Sequence, residues 1–263
     1  MERKVRCVIA YDGTDFHGWQ RQADVRTVQQ TLEDVACRVL GQRVHFVGAS
    51  RTDAGVHAHG QVAHLVYSGS VPPDNLRRAI NHRLPRDVVL RDVRAVRPTF
   101  HATRDALGKL YRYRLYNYPD PPPDAVRLRY TWQVRHPLSP DAMRAAAALL
   151  VGTHDFAAFA SAGSPRESTV RTIRHVDVQR RADELHIDVA GTGFLYNQVR
   201  IMVATLVEVG RGHWPAARVA EILAARDRTQ AAGVAPAAGL CLEWVHYPPE
   251  LENAWSSPDE SHS

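Results

Sequence analysis

What most constrains the fold is the order of periodicities in the first hundred residues. Arg3 to Tyr11 alternates, with Val5, Cys7, Ile9 and Tyr11 on one side, as a half-buried strand does. Thr27-Val28-Gln29-Gln30 reads as a capping box, and Val28, Leu32, Val35, Ala36 and Val39 form a helical stripe behind it that stops at Gly41. Two strands follow, Val44 to Ala49 and Gln61 to Tyr67. A helix from about Asp74 to Leu84, with Leu76, Ala79 and Ile80 on one face, leads into a strand from Val88 to Val96. Strand, helix, two strands, helix, strand is the ferredoxin-like order, an antiparallel sheet covered on one face by two helices.

The second half repeats the theme with longer connections. Leu110 to Tyr116 and Arg129 to Val134 read as strands around the stiff segment Tyr118-Pro119-Asp120-Pro121-Pro122-Pro123-Asp124. Because the strand pattern begins before that segment, the domain boundary falls near Arg104. Ser139-Pro140-Asp141 opens an alanine-rich helix to Leu150, with proline in its first turn. Strands Val170 to Gln179 and Leu185 to Gly191, an apolar helix Phe194 to Gly210, a helix Ala216 to Arg226 and a strand Leu240 to Tyr247 complete the pattern. The expected fold is α+β, with one ferredoxin-like domain over residues 1–104 and a second over 105–249. Residues 250–263, rich in Pro, Ser and acid, are expected to be a disordered tail.

With 44% hydrophobic and 23% charged residues in 263, the chain can bury a full core. It has no apolar run of membrane-spanning length, and Met1-Glu2-Arg3-Lys4 leads directly into a strand, so a cytoplasmic protein without a membrane segment is expected. Cys7, Cys37 and Cys241 form no C-x-x-C pair and fit neither a disulfide framework nor a zinc ribbon. His57 and His59 share a strand parity that His64 does not, with no cysteine or carboxylate at ligand spacing, so no metal is expected. Phosphate-binding glycine loops are absent, which argues against nucleotide cofactors. The net charge of +5 understates the basic character, because Pro248 to Ser263 holds four acids and no Lys or Arg. A basic globular body suits a polyanionic partner.

Between the strands Val44 to Ala49 and Gln61 to Tyr67 lies Ser50-Arg51-Thr52-Asp53-Ala54-Gly55-Val56-His57, with Gly55 free to adopt a positive φ. One carboxylate, Asp53, is thereby placed at the tip of a sheet, where a nucleophile or general base belongs. The plainer reading is a polar turn whose Asp bonds its own backbone. The loop Asp12 to Gln22 admits two readings: Phe16 and Trp19 stack on bases, or they pin the loop into the core. Arg200, within the apolar helix, is either buried against an anion or snorkels to water.

These motifs together resemble the TruA-type tRNA pseudouridine synthases over nearly all of residues 3 to 247. The resemblance is carried by Tyr11-Asp12-Gly13-Thr14 with Phe16-His17-Gly18-Trp19-Gln20, by Arg51 to Ala58 followed by Gly60-Gln61-Val62, and by Tyr111-Arg112-Tyr113. It continues in Gly152-Thr153-His154-Asp155-Phe156, Gly193 to Arg200 and Gly239-Leu240-Cys241-Leu242. It implies isomerisation of uridine to pseudouridine at positions 38 to 40 of the tRNA anticodon stem-loop, without cofactor or metal. It also implies two halves facing a central basic cleft, in a homodimer. By resemblance Asp53 is the nucleophile, Arg200 its partner, Tyr111 the ring stacked on the uracil and Leu240 the apolar floor. Arg51, Arg21, Lys109 and Arg104 would hold the flipped nucleotide and its backbone. Thr103-Arg104 is displaced by one from the usual order, which puts the role of Arg104 in doubt. Two other readings stay open: a catalytically idle RNA-binding module, and an N-glycosidase with Asp155 as a second acid.

Overall fold

Strand β1 (Glu2–Tyr11) buries every second residue, and Val5, Cys7 and Ile9 are completely enclosed. In the computed structural model, which describes residues 2–161 and 168–252, this strand is the centre of the first of two compact units. That unit comprises residues up to Leu107 and, after a long excursion, those from Leu242 onward.

Around β1 the unit adds α1 (Val28–Leu40), β2 (Val47–Gly48), β3 (His57–Ser68), α2 (Pro73–Asn81) and β4 (Val88–Ala95). The strand order is β4-β1-β3, with β2 on the outer side of β3 and all pairs antiparallel. Cys7 faces Ala63 on one side and Val93 on the other. Leu32 and Ala36 of α1, with Leu76 and Ile80 of α2, are fully buried, so each helix hides the stripe its spacing marks out. Thr27 caps α1 by accepting from Gln30 N, but the reciprocal half of the capping box is not made: Gln30 Oε1 is buried without a partner.

The strand expected from Val44 to Ala49 shrinks to the two residues of β2. Ahead of β2, backbone groups are taken by α1 side chains: Phe46 N donates to Glu33 Oε1 at 3.1 Å, Phe46 O accepts from Gln29 Nε2 at 2.9 Å, and Val44 N lies 3.4 Å from Cys37 Sγ. A ladder cannot form where its groups are already spent.

The second unit, Gly108–Cys241, contains β5 (Gly108–Tyr116), a single-turn helix Ala125–Arg129, β6 (Trp132–Gln133), α3 (Pro140–Ala148), β7 (Gly152–Asp155), β8 (Val170–Arg181), β9 (Glu184–Gly191), α4 (Gln198–Gly210) and α5 (Arg218–Ala225). Its strands run β5-β9-β8-β7 antiparallel, and β6 lies parallel to β5. α3 and α4 pack so closely that a Cβ on Gly210 would stand 2.8 Å from Met143 Cγ.

Three expectations change here. The strand expected from Arg129 to Val134 shortens to the two residues of β6, and Arg129 instead ends the single-turn helix, where Asp124 caps Val126 N and Arg127 is drawn to Asp183 and Glu184. β7 was not anticipated as a strand. The apolar helix begins at Gln198 rather than Phe194, since Asn197 adopts a left-handed φ of 60° and Gln198 Oε1 turns back to cap Leu195 N.

β10 (Leu240–His246) leaves the second unit after Cys241 and joins the first, where it neighbours β3. Sequence order had placed it in the second domain. It returns because Gly60 of β3 admits the β10 backbone: a Cβ there would stand 2.4 Å from Glu243 O. Tyr247, fully buried, then donates to Ala102 O at 2.6 Å. The short helix α6 (Pro249–Glu252) occupies the start of the expected tail, and residues 253–263 lie outside the described residues. Among the described residues no helix is long and apolar enough to cross a membrane.

Candidate active site

Asp53 sits half-buried where the chain turns into β3. Gly55 takes φ 78°, and Val56 N donates to Asp53 O at 3.1 Å, which closes the turn. The turn does not stand alone. The segment Tyr11–Gln20 lies directly on it.

Four bonds join the two. Tyr11 Oη lies 2.7 Å from Thr52 Oγ1, Trp19 N donates to Thr52 O at 3.0 Å, Gly55 N donates to Phe16 O at 3.1 Å, and Gly13 N donates to His57 Nδ1 at 3.0 Å. The approach requires glycine at two points. A Cβ on Gly13 would fall 2.0 Å from Val56 O, and one on Gly18, whose φ is +86°, would fall 2.6 Å from Thr52 O. Phe16 and Trp19 are each only 2% exposed, so the loop is pinned by its aromatics and they are not offered to bases. The same loop starts α1: Gly18 O accepts from Val28 N at 3.1 Å and Trp19 O from Gln29 N at 2.9 Å. From the other side, fully buried Gln61 holds Ser50 by its backbone, accepting from N at 3.3 Å and donating to O at 2.7 Å.

The sequence marks all of these residues as motif but gives Tyr11, Gly13, Thr52 and His57 no task. The structure assigns them one: they fix the turn that carries Asp53. Arg51 in the same turn is exposed. Arg21 lies in the same unit, its backbone N donating to Gln29 Oε1 at 2.9 Å and its guanidinium 3.2 Å from Glu33.

The other expected site residues belong to the second unit. Tyr111, on β5, is 5% exposed and meets Phe194 edge to face at 5.1 Å. Lys109 shares its strand parity, opposite Gly191. Arg200 donates through Nε to Ala235 O at 2.7 Å and through Nη1 to Asn197 Oδ1 at 2.9 Å, so it is oriented at the helix start and does not trail into water. Its charge is felt by Tyr113, whose hydroxyl is pushed well above its ordinary range by burial, an effect Arg200 partly offsets. Tyr113 donates to Pro236 O at 2.7 Å, and Gly239 presses on its ring, which sets the chain into Leu240, 5% exposed.

Asp155 is unsuited to donating a proton. A bond from Thr169 Oγ1 and one from Ala157 N at 3.0 Å, with Arg226 at 3.4 Å, outweigh burial and hold its carboxyl below the usual range. An N-glycosidase acid would need the opposite shift.

The family model described as tRNA pseudouridine synthase matches residues 7–104 and 146–248. The chain belongs to the tRNA pseudouridine synthase family. Curated relatives named tRNA pseudouridine synthase A include those of Brevibacillus brevis and Acetivibrio thermocellus, respectively 47% and 44% identical, each match covering 93% of this chain and 100% of the relative. That of Syntrophotalea carbinolica is 46% identical over 94% of this chain and 97% of its own. Within the tRNA pseudouridine synthase match fall the Tyr11–Gln20 loop, the Asp53 turn, Arg200 and Leu240, whereas Lys109 and Tyr111 lie between its two blocks.

Proposed function

We propose that this chain isomerises uridine to pseudouridine at positions 38 to 40 of the tRNA anticodon stem-loop, with Asp53 as nucleophile. The carrying observation is the Asp53 turn itself: a half-buried carboxylate on a strand end, immobilised by a loop that commits two buried aromatics and two close-packed glycines to that contact. Membership of the family and the names of its curated members support the substrate and the reaction.

In the reaction the N1–C1′ bond breaks, the uracil turns, C5 bonds to C1′, C5 gives up its proton and N1 ends protonated. Atoms balance without a cofactor. An aspartate is already ionised at neutral pH, so its partner serves to keep it so in a desolvated pocket and to fix its orientation. By resemblance that partner is Arg200, Tyr111 stacks on the uracil, Leu240 forms the floor, and Arg51, Arg21 and Lys109 hold the flipped nucleotide and its phosphates. Flipping costs a few kcal/mol, which backbone contacts offset.

On this reading the two units act as ferredoxin-like halves facing a basic cleft, in a cytoplasmic homodimer. The β4-β1-β3-β2 order of the first unit supports the ferredoxin-like half. The alternative, an idle RNA-binding module, leaves a fixed carboxylate aimed at a polyanion without purpose.

The test is tritium release from 5-tritiated uridine in unmodified tRNA, with no metal or nucleotide added. Wild type is expected to release tritium and Asp53→Asn to lose all turnover while binding tRNA within a few-fold of wild type. Substantial release by a clean Asp53→Asn preparation would remove Asp53 from the nucleophile's role, and wild type that binds tRNA without release would favour the binding module.

A further inference from the structure

The face of the first unit's sheet that points away from its helices is cationic. Val5, Cys7 and Ile9 of β1 face the core, so Lys4 and Arg6 face the other way. Strand register aligns Arg94, Arg6, His64 and Val47 in one row across β4, β1, β3 and β2. At the β2 end of this row is a hollow of about 380 Å³ lined by Arg43, Val44, His45, Val47, His64 and Val66, with no acid among them.

We infer that this hollow holds a backbone phosphate of the tRNA, several nucleotides away from the one that is modified. The inference rests on tRNA being the substrate.

Three observations carry it. Beside His64 in the row, Arg6 has Nε and Nη1 buried with no hydrogen-bond partner, and its guanidinium lies 5.8 Å from the centre of the Tyr247 ring. Guanidinium nitrogens left unmatched inside a fold are costly, and a nearby anion reduces that cost. Next, His64 is only 7% exposed and its Nδ1 accepts from Ala102 N at 3.2 Å, which fixes a neutral ring with its proton on Nε2, a donor and not an acceptor. Finally, the local field is positive. Burial, followed by the charges of Lys4, His101 and Arg104, lowers the His64 pKa to about 4 against the single opposing carboxylate of Asp105. The acids nearby are already engaged: Asp105 accepts from His101 N at 2.8 Å, Asp92 pairs with Arg94 at 2.8 Å, and Glu33 takes His45 at 2.6 Å. Valines and donors without acceptors suit a phosphodiester better than a base edge, which would also need acceptors.

The position gives the site its use. His64 is seven residues along β3 from His57, or roughly 23 Å at about 3.3 Å per residue. A phosphate held there belongs to the flanking helix of the RNA and sets its register on the protein.

The test reads binding, so it stands or falls apart from turnover. The dissociation constant of unmodified tRNA is measured across a salt series for wild type, Arg43→Gln and Arg43→Lys. Arg78→Gln, at an exposed arginine on α2, is the control. Arg43→Gln is expected to weaken binding about five- to tenfold at low salt and to flatten the log–log salt slope by about 0.9, one phosphate. Arg43→Lys should keep the slope, and Arg78→Gln should leave affinity, slope and tritium release unchanged. Unchanged affinity and slope in Arg43→Gln would overturn the inference. In a second arm, inorganic phosphate is titrated while the His64 ring is followed by NMR. A His64 response to phosphate with no Arg43→Gln effect on tRNA would make the hollow a free-phosphate site and equally overturn it.

Discussion

Gly13 has no Cβ, and that lets the Tyr11–Gln20 loop close on the Asp53 turn. The 2.0 Å that would separate an alanine Cβ from Val56 O cannot be relieved by a rotamer, because the backbone alone sets where both atoms stand. Gly13→Ala must therefore push the Tyr11–Gln20 loop off the Asp53 turn. Since misplacement of a reacting group by about 1 Å can cost on the order of 10²-fold, turnover should fall by that much with tRNA affinity within a few-fold of wild type. Steady-state kinetics beside a binding isotherm would check this split between kcat and Kd. Sequence alone shows Gly13 as one letter of a motif. Its reason lies forty-three residues away in Val56, and no local periodicity reports such a contact.

Among the elements, α1 has the widest duties. Its first turn receives the carbonyls of Gly18 and Trp19, its Gln29 and Glu33 side chains replace the ladder that the segment before β2 would otherwise form, and its apolar stripe closes the core. Glu33→Ala would strand the Phe46 N–H. An unmatched buried donor costs about 1–3 kcal/mol, so the urea midpoint should drop accordingly with the slope unchanged. This arrangement also marks where sequence reading ran out. β1, β4, β9 and α1 were legible because one face of each is buried and the period is unambiguous. The extent of β2, the turn at Ala125–Arg129 and the start of α4 were not, because each depends on a side chain taking a backbone group: Glu33 and Gln29, Asp124, and Gln198. Of the site, the Asp53 turn was legible from its residues, whereas Tyr111, Arg200 and Leu240 rested on resemblance, since they come from separate elements.

For the whole molecule the balance of buried charge predicts acid sensitivity in two stages. His64 drops from 6.5 to about 4 on folding, so the native state takes its proton later than the unfolded chain, and stability is lost as pH falls from 6.5 toward 4. Glu184 behaves likewise at lower pH. Burial raises its pKa, but bonds from Arg114, His186 and Arg127 prevail and hold it near 2, so its contribution is present above 4.5 and lost toward 2. Each step is worth at most about 3 kcal/mol. Denaturant titrations between pH 7 and pH 3 should show the first loss in wild type and its absence in His64→Gln.

The return of β10 to the first unit carries a further consequence. Domains ordinarily fold as they emerge from the ribosome, the earliest first. Here the unit that bears Asp53 contains β1 and is completed by β10, so β3 waits for residues 242–246 through the synthesis of the whole second unit. Until translation has passed residue 246, a nascent chain therefore carries the Asp53 turn on a β3 whose edge toward β10 is still unpaired.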